Sequence, residues 1–186
     1  MVNTLGVTTL DAVSSLFYGG NANVSWERAL DGLSAQQAST VPAGLPHSVA
    51  DIVAHVQFWQ RYLLGVFRGE DPGWVESADE SWPGGEASEA GKREPESHEA
   101  GSHEAGSHEA GSREWEALKI RFLRDMDALA VYAQDESFMS RHDPQGRFRI
   151  VPLTSFAGHG LYHLGQVVTI RQLIGAWPPP GGGDTW

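Results

Sequence analysis

The sequence predicts an all-α protein, a four-helix bundle with a low-complexity insertion between its second and third long helices. Four long segments carry apolar residues three and four positions apart, which is the spacing of one helix face, whereas alternating strand patterns are scant. The 186 residues are 40% apolar, which is enough for one sizeable core. We therefore expect a single domain over residues 1–186, in which the long helices pack side by side.

The first long helix is predicted near the N-terminus, and it should end at Gly19 and Gly20 because glycine commonly terminates helices. Its apolar positions are Leu5, Leu10, Val13, Leu16 and Phe17. A shorter helical piece is expected at SWERALDGLS, which begins at Ser25.

The second long helix should begin after Pro46, with Ser48 as its N-cap and Asp51 completing a variant of the capping box. Gly69 marks its end. Its apolar positions are Val49, Ile52, Val53, Val56, Trp59, Leu63, Val66 and Phe67.

The third and fourth long helices follow the insertion. Ser112 is the candidate N-cap of the third helix; the fourth opens at Pro152, a favourable first-turn residue, and ends before Gly175. The apolar face of the third comprises Trp115, Leu118, Phe122, Met126, Leu129 and Tyr132. The inward face of the fourth comprises Phe156, His159, His163, Val167, Ile170 and Ile174. Between these helices, RFRIV at 147–151 is at most a short extended piece.

Most of the negative charge lies in one segment. The chain has a net charge of −11, and twelve acidic but only two basic residues fall between Glu70 and Ser112. The remaining body is nearly neutral and has no basic stripe, so nucleic-acid binding has no electrostatic support.

The same segment contains a five-residue repeat, SHEAG, that starts at Ser97, Ser102 and Ser107. Successive units differ by about 140° around a helix, so their histidines would not share a face, and the glycine in each unit weakens a helix further. We therefore expect residues 70–111 to be a solvated, mobile insertion. A histidine-rich segment that scavenges metal ions is the alternative.

Cysteine is absent, so disulfides and thiolate metal sites are excluded and any metal must be held by His, Asp or Glu. The N-terminal segment has no basic start and carries Asp11 within its apolar stretch, and no apolar run approaches the length of a membrane span. We expect a cytoplasmic protein with no membrane partner.

Three histidines are predicted on the inward faces of two helices. His159 and His163 lie four residues apart, which places both on one face of the fourth helix, and His55 lies on or beside the buried face of the second. Buried imidazoles need partners, and these can be a shared metal ion or a hydrogen-bond network. Three together without obvious acidic partners favour the metal.

Other residues are candidates for supporting roles. Gln166 follows His163 by three residues and is a candidate for orienting that ligand or a bound water; simple packing is the alternative. Asp51, one turn before His55, is a candidate acceptor for its ring N–H, although capping is the favoured role. The aromatic residues Trp59 and Tyr62 belong either to a pocket wall or to the core.

The two histidines outside the triad and the repeat have simpler interpretations. His47 is expected at the boundary of the second helix, and His142 in a solvent-exposed polar loop.

The stretch LPHSVADIVAHVQFWQRYLL, followed far downstream by GHGLYHLGQVVTIRQLIGAWPPPGGGDTW, resembles the DinB/YfiT-like superfamily. That superfamily includes proteins similar to bacillithiol S-transferases and to the metal-binding domain of mycothiol-dependent maleylpyruvate isomerase. The resemblance covers most of the chain outside residues 70–111. It implies a four-helix bundle, often a homodimer, that holds nickel or zinc with His55, His159 and His163.

Three neutral imidazoles leave at least one metal position open for water or a substrate atom. The resemblance implies a low-molecular-weight thiol as cosubstrate, whereas water as the nucleophile would give hydrolysis of a small-molecule substrate. Two hypotheses follow: a metal-dependent thiol S-transferase or hydrolase, or a non-catalytic bundle with a structural or sensing metal. A fourth protein ligand would favour the second.

Overall fold

The computed structural model describes residues 9–19, 22–83 and 104–183. Its α-helices are α1 (Thr9–Tyr18), α2 (Trp26–Leu30), α3 (Ala35–Ala38), α4 (Val49–Arg68), α5 (Glu104–Ala133), α6 (Glu136–Met139) and α7 (Ile150–Leu173). A 3-10 helix, Ala78–Ser81, lies between α4 and α5. The described residues form no β-strand, and an isolated bridge joins His142 to Phe148. The predicted all-α class is confirmed.

The four long helices form the predicted bundle. Helix α4 packs against both α5 and α7, and α1 packs against the same two helices, so that α1 and α4 occupy opposite corners. The short helices α2 and α3 cover α7 and α5. The core between them is apolar, and its largest fully buried side chains include Trp26, Phe122, Met126, Leu129, Leu153 and Leu164.

The start and the end of α4 are as predicted. The Ser48 hydroxyl accepts from the Asp51 N–H at 3.2 Å, and an Asp51 carboxylate oxygen accepts from the Ser48 N–H at 2.8 Å, which completes the capping box. Gly69 ends the helix in the left-handed conformation, with φ 82°. Because these caps fix the register of α4, they also fix which of its residues face α7.

Helix α5 begins earlier than predicted. It starts at Glu104 and includes the SHEAG unit that begins at Ser107, so the prediction of Ser112 as its N-cap is wrong. Extending a helix that is already packed costs little per residue, and the Glu and Ala of the repeat are good helix formers that offset its glycines. Glu109 also lies 3.9 Å from Arg113 across one turn. His98 and His103 lie outside the described residues.

Helix α1 agrees with its predicted face only in part. Val13 and Phe17 are buried, but Leu16 is 42% exposed, so its place on the inward face was wrong. The predicted position Leu5 lies outside the described residues. A helix at a corner of a bundle buries a narrow stripe, and Leu16 lies at the edge of that stripe.

A buried arginine connects α7 to the rest of the molecule. The Arg171 guanidinium is almost fully buried, and it donates to the carbonyl oxygens of Ala29 at 2.6 Å, Asp31 at 2.9 Å and Ala176 at 2.8 Å. It therefore joins α7 to the end of α2 and to the chain that follows α7.

Across the three described stretches, no helix is both long and apolar enough to span a membrane.

Candidate metal centre

The structure brings together the three histidines that the sequence singled out. One ring nitrogen from each of His55, His159 and His163 can be chosen so that all three lie within 4.8 Å of one another. The Nε2 atom of His159 lies 3.2 Å from that of His55 and 2.9 Å from that of His163. Helix α4 supplies the first ring, and one face of α7 supplies the other two.

These imidazoles are neutral at physiological pH. Burial, together with the charges that His163 and His159 would carry, lowers the pKa of His55 to about 4. Burial and His163 likewise lower the pKa of His159 to about 4. Burial also lowers the pKa of His163, although its bond to Gln166 opposes this shift. Neutral imidazole is the form that binds a metal.

The hydrogen-bond partner of His55 determines its tautomer. Its Nδ1 atom lies 3.3 Å from the carbonyl oxygen of Ser81, at the end of the 3-10 helix. A carbonyl oxygen can only accept, so Nδ1 of His55 carries the proton. Its Nε2 atom is left with a lone pair that points toward His159.

His163 is held in the same way from within its own helix. Its Nδ1 atom lies 2.6 Å from Oε1 of Gln166, and the Gln166 amide nitrogen donates to the Tyr162 hydroxyl at 3.1 Å. In this orientation the amide oxygen faces the ring, and because an amide oxygen can only accept, Nδ1 of His163 is the donor. The Nε2 atom of His163 therefore also presents a lone pair to His159.

This arrangement fits a cation better than it fits a hydrogen-bond network. The single Nε2 position of His159 can donate one proton, so it can satisfy only one of the two lone pairs that face it. A divalent ion would accept electron pairs from all three nitrogens. Tetrahedral ligands at about 2.1 Å from an ion lie about 3.4 Å apart, close to the 2.9 and 3.2 Å separations here.

A tryptophan covers the outer side of His55. The ring of Trp82 stacks on that of His55 with centroids 3.9 Å apart and planes 7° apart, and His47 stacks on its opposite face at 3.7 Å and 5°. Together with the Ser81 carbonyl, this stack fixes the plane of the His55 ring. His47, expected only at the boundary of the helix, therefore contacts the site through Trp82.

The structure also shows where the other residues considered in the sequence analysis lie. Asp51 caps α4, as favoured, while Ser81 takes the ring N–H of His55. Trp59 and Tyr62 line a cavity beside the triad. His142 is exposed, as expected.

The cavity next to the triad has a volume of about 540 Å³. Its wall is mostly apolar and aromatic, and it includes His55 and His159. The other lining residues are Trp59, Tyr62, Leu63, Ala78, Ser81, Trp82, Arg147, Pro152, Ser155 and Phe156. A cavity of this size with a mostly apolar wall is typical of sites that bind small molecules.

Sequence reasoning missed three residues of the site: Ser81, Trp82 and Arg147. Ser81 and Trp82 belong to the segment that composition assigned to the insertion, and Arg147 belongs to a polar loop. The one available signal was Trp82 itself, a large apolar residue within an acidic stretch.

These features define a class of protein, a helical bundle in which two buried imidazoles and one half-buried imidazole lie close enough together to hold a metal ion beside a mostly apolar cavity. The sequence model of the DinB superfamily matches residues 24–166, which include all three histidines. The chain belongs to the DinB superfamily. No curated protein and no solved structure matches it significantly.

Metal binding at pH 6 is expected to release fewer than one proton per ion. Three histidines with an ordinary pKa of about 6.5 would together release roughly two protons at this pH. Because the pKa values of His55 and His159 are lowered to about 4, these rings are already neutral. Titration calorimetry with zinc in two buffers of different ionisation enthalpy measures the number. A value near two would contradict the neutral triad.

Replacing Gln166 by leucine is expected to weaken zinc binding by about 10-fold, since partners that orient a ligand contribute on this scale. The substitution removes the acceptor that holds Nδ1 of His163. Gln172→Leu is the matched control, because Gln172 is exposed on the same helix. Competition with a chromophoric chelator measures both affinities, and equal values for the two variants would exclude the orienting role.

Proposed function

We propose that the protein is a metal-dependent enzyme, a thiol S-transferase or a hydrolase, that acts on a small electrophile with zinc or nickel at the triad. The main support is that the imidazole cluster adjoins a cavity. Within the described residues, no Asp, Glu or fourth histidine joins the group of three. A structural site is normally closed by a fourth protein ligand, whereas an open position suits catalysis.

The residues of the site have three roles: holding the ion, orienting its ligands and lining the cavity. His55, His159 and His163 would hold the ion, while Ser81 and Gln166 fix the planes of two of these rings. A divalent ion bound there lowers the pKa of a thiol or water and polarises an electrophile. Trp82 and the other apolar wall residues would pack against the bound substrate.

A low-molecular-weight thiol is the favoured nucleophile. The chain has no cysteine, so a thiol-dependent reaction needs the thiol from solution. Family membership supports the same proposal. An external thiol and a small electrophile can both reach a cavity of about 540 Å³.

The test begins with protein purified without a histidine tag, loaded with zinc or with nickel. It is mixed with 1-chloro-2,4-dinitrobenzene and each of several small thiols, and thioether formation is followed by absorbance. The expected result is conjugation that depends on both metal and thiol, and that is lost in His163→Ala.

Two outcomes would change the proposal. Ester or amide hydrolysis without any thiol would select the hydrolase. The other outcome is a protein that holds stoichiometric metal and turns over none of a broad panel of thiols and electrophiles. That result would favour the alternative function, a non-catalytic metal-binding bundle.

A further inference from the structure

The charge that lines the triad cavity is positive. Among the described residues of its wall, Arg147 alone carries a permanent charge, and no Asp or Glu is present. This contrasts with the chain as a whole, whose net charge is −11. A divalent ion at the triad would add to the positive potential. A cavity with this balance favours an anionic ligand over a neutral or cationic one.

Arg147 is held in place by a buried carboxylate. Its Nε atom lies 2.9 Å from Oδ2 of Asp143, whose side chain is 1% exposed, whereas the Arg147 side chain is 56% exposed. The backbone N–H of Arg147 donates to the other oxygen of Asp143 at 2.8 Å. Burial raises the pKa of the Asp143 carboxyl, but the hydrogen bonds and charge of Arg147 outweigh it, so the pKa is lowered and the group stays ionised.

The loop that carries this pair is itself closed by backbone bonds. The N–H of Asp143 donates to the carbonyl of Arg147 at 2.7 Å, and the N–H of Gly146 donates to the carbonyl of Asp143 at 2.9 Å. Gly146 has φ 78°, a conformation that other residues rarely adopt. The loop therefore presents Arg147 from a defined backbone position rather than from a free turn.

The contact with Asp143 leaves the outer end of the guanidinium available. That contact uses Nε, and no hydrogen bond to a described residue uses either Nη atom. The two Nη groups form a planar fork whose N–H bonds match the two oxygens of a carboxylate. A carboxylate bound there would lie at the wall of the cavity that also contains His55 and His159.

The remaining wall defines the body of such a ligand. Trp59, Trp82 and Phe156 give the cavity flat aromatic surfaces, which favour a planar apolar group. We propose that the substrate is a small aromatic or similarly flat carboxylate, and that Arg147 determines this specificity by binding its carboxylate group. That this ligand is a substrate rests on the proposed function, but its binding at Arg147 requires neither metal nor turnover.

The test uses the full-length protein without metal, so that the triad cannot itself attract the anion. Benzoate and benzamide are the probes, because they share a flat ring and differ in charge. Dissociation constants come from ligand-detected NMR, and the shifts of the Trp59 and Trp82 indole N–H resonances locate the binding. We expect benzoate to bind about tenfold more tightly than benzamide at low salt, and we expect this preference to shrink in roughly 0.5 M sodium chloride.

Arg147→Met should remove the preference for benzoate while leaving benzamide binding unchanged. Arg61→Met is the matched control, since Arg61 is an exposed arginine that lines a different groove and should leave the preference intact. Equal binding of the two probes by the unmodified protein would overturn the proposal without any variant. A preference that survives in folded Arg147→Met would overturn it as well.

The result of the binding test can be distinguished from the result of the thiol-conjugation assay. Loss of the benzoate preference in Arg147→Met together with an absence of turnover would leave a carboxylate-binding site in a non-catalytic protein. Turnover with equal binding of benzoate and benzamide would retain the enzyme and exclude Arg147 as its specificity determinant.

Discussion

Replacing His163 by alanine is expected to lower the affinity for zinc or nickel by a factor on the order of 100 to 1,000. Tetrahedral zinc sites owe their apparent binding free energy of about 10–16 kcal/mol to a few ligands, so the loss of one ligand has an effect of this size. His55→Ala should have a similar effect, because His55 contributes the one nitrogen from α4. Metal analysis and chelator competition on tag-free protein measure the change.

His142→Ala is the matched control, because His142 is exposed and lies outside the cluster. It should bind metal as the unmodified protein does. Circular dichroism should show the same helix content in His55→Ala, His163→Ala and the unmodified protein. If a protein lacking all three histidines still bound one ion per chain, the metal site would lie elsewhere.

Replacing Arg171 by methionine is expected to lower the free energy of unfolding by about 3 kcal/mol. Hydrogen bonds to charged groups contribute about 1.5–3 kcal/mol each, and methionine would leave the buried acceptors around Arg171 without their donor. The apolar side chain recovers part of this loss because it no longer buries a charge. The midpoint of urea unfolding, with an unchanged slope, measures the effect.

Two further variants sharpen this test. Arg171→Lys keeps the charge but cannot span the carbonyls of Ala29, Asp31 and Ala176 with one ammonium group, so it should lie between the two extremes. Arg121→Met changes an exposed arginine on α5 and should shift the unfolding free energy by less than about 0.5 kcal/mol. Equal free energies of unfolding for Arg121→Met and Arg171→Met would show that the hydrogen bonds of Arg171 make no net contribution to stability.

The parts of the fold that depend on local sequence were predictable. Ser48 and Asp51 identify the start of α4 because the capping box is made between residues three apart, and Gly69 identifies its end for a similarly local reason. The pairing of His159 with His163 follows from helical spacing alone. The contact of Gln166 with His163 is equally local, since one turn separates them.

The parts that depend on contacts distant in sequence were not predictable. Trp82 joins His55 through a stack that forms only when the 3-10 helix folds back on α4, and nothing near Trp82 in the sequence indicates this. Arg171 was overlooked because an arginine beside apolar positions is usually a surface residue. Two of its three acceptors, the carbonyls of Ala29 and Asp31, lie about 140 residues earlier. The contact of Arg147 with Asp143 is local, but its place in the wall of the cavity depends on residues of α4 that lie far away in the sequence.

The stack of Trp82 on His55 has an optical consequence. An indole 3.9 Å from a ring proposed to hold the metal would be quenched by an open-shell ion such as nickel, but not by zinc, whose d shell is filled. The chain has seven tryptophans, and Trp82→Phe would isolate the contribution of this one. The emission of the unlabelled protein would then distinguish the two ions in solution.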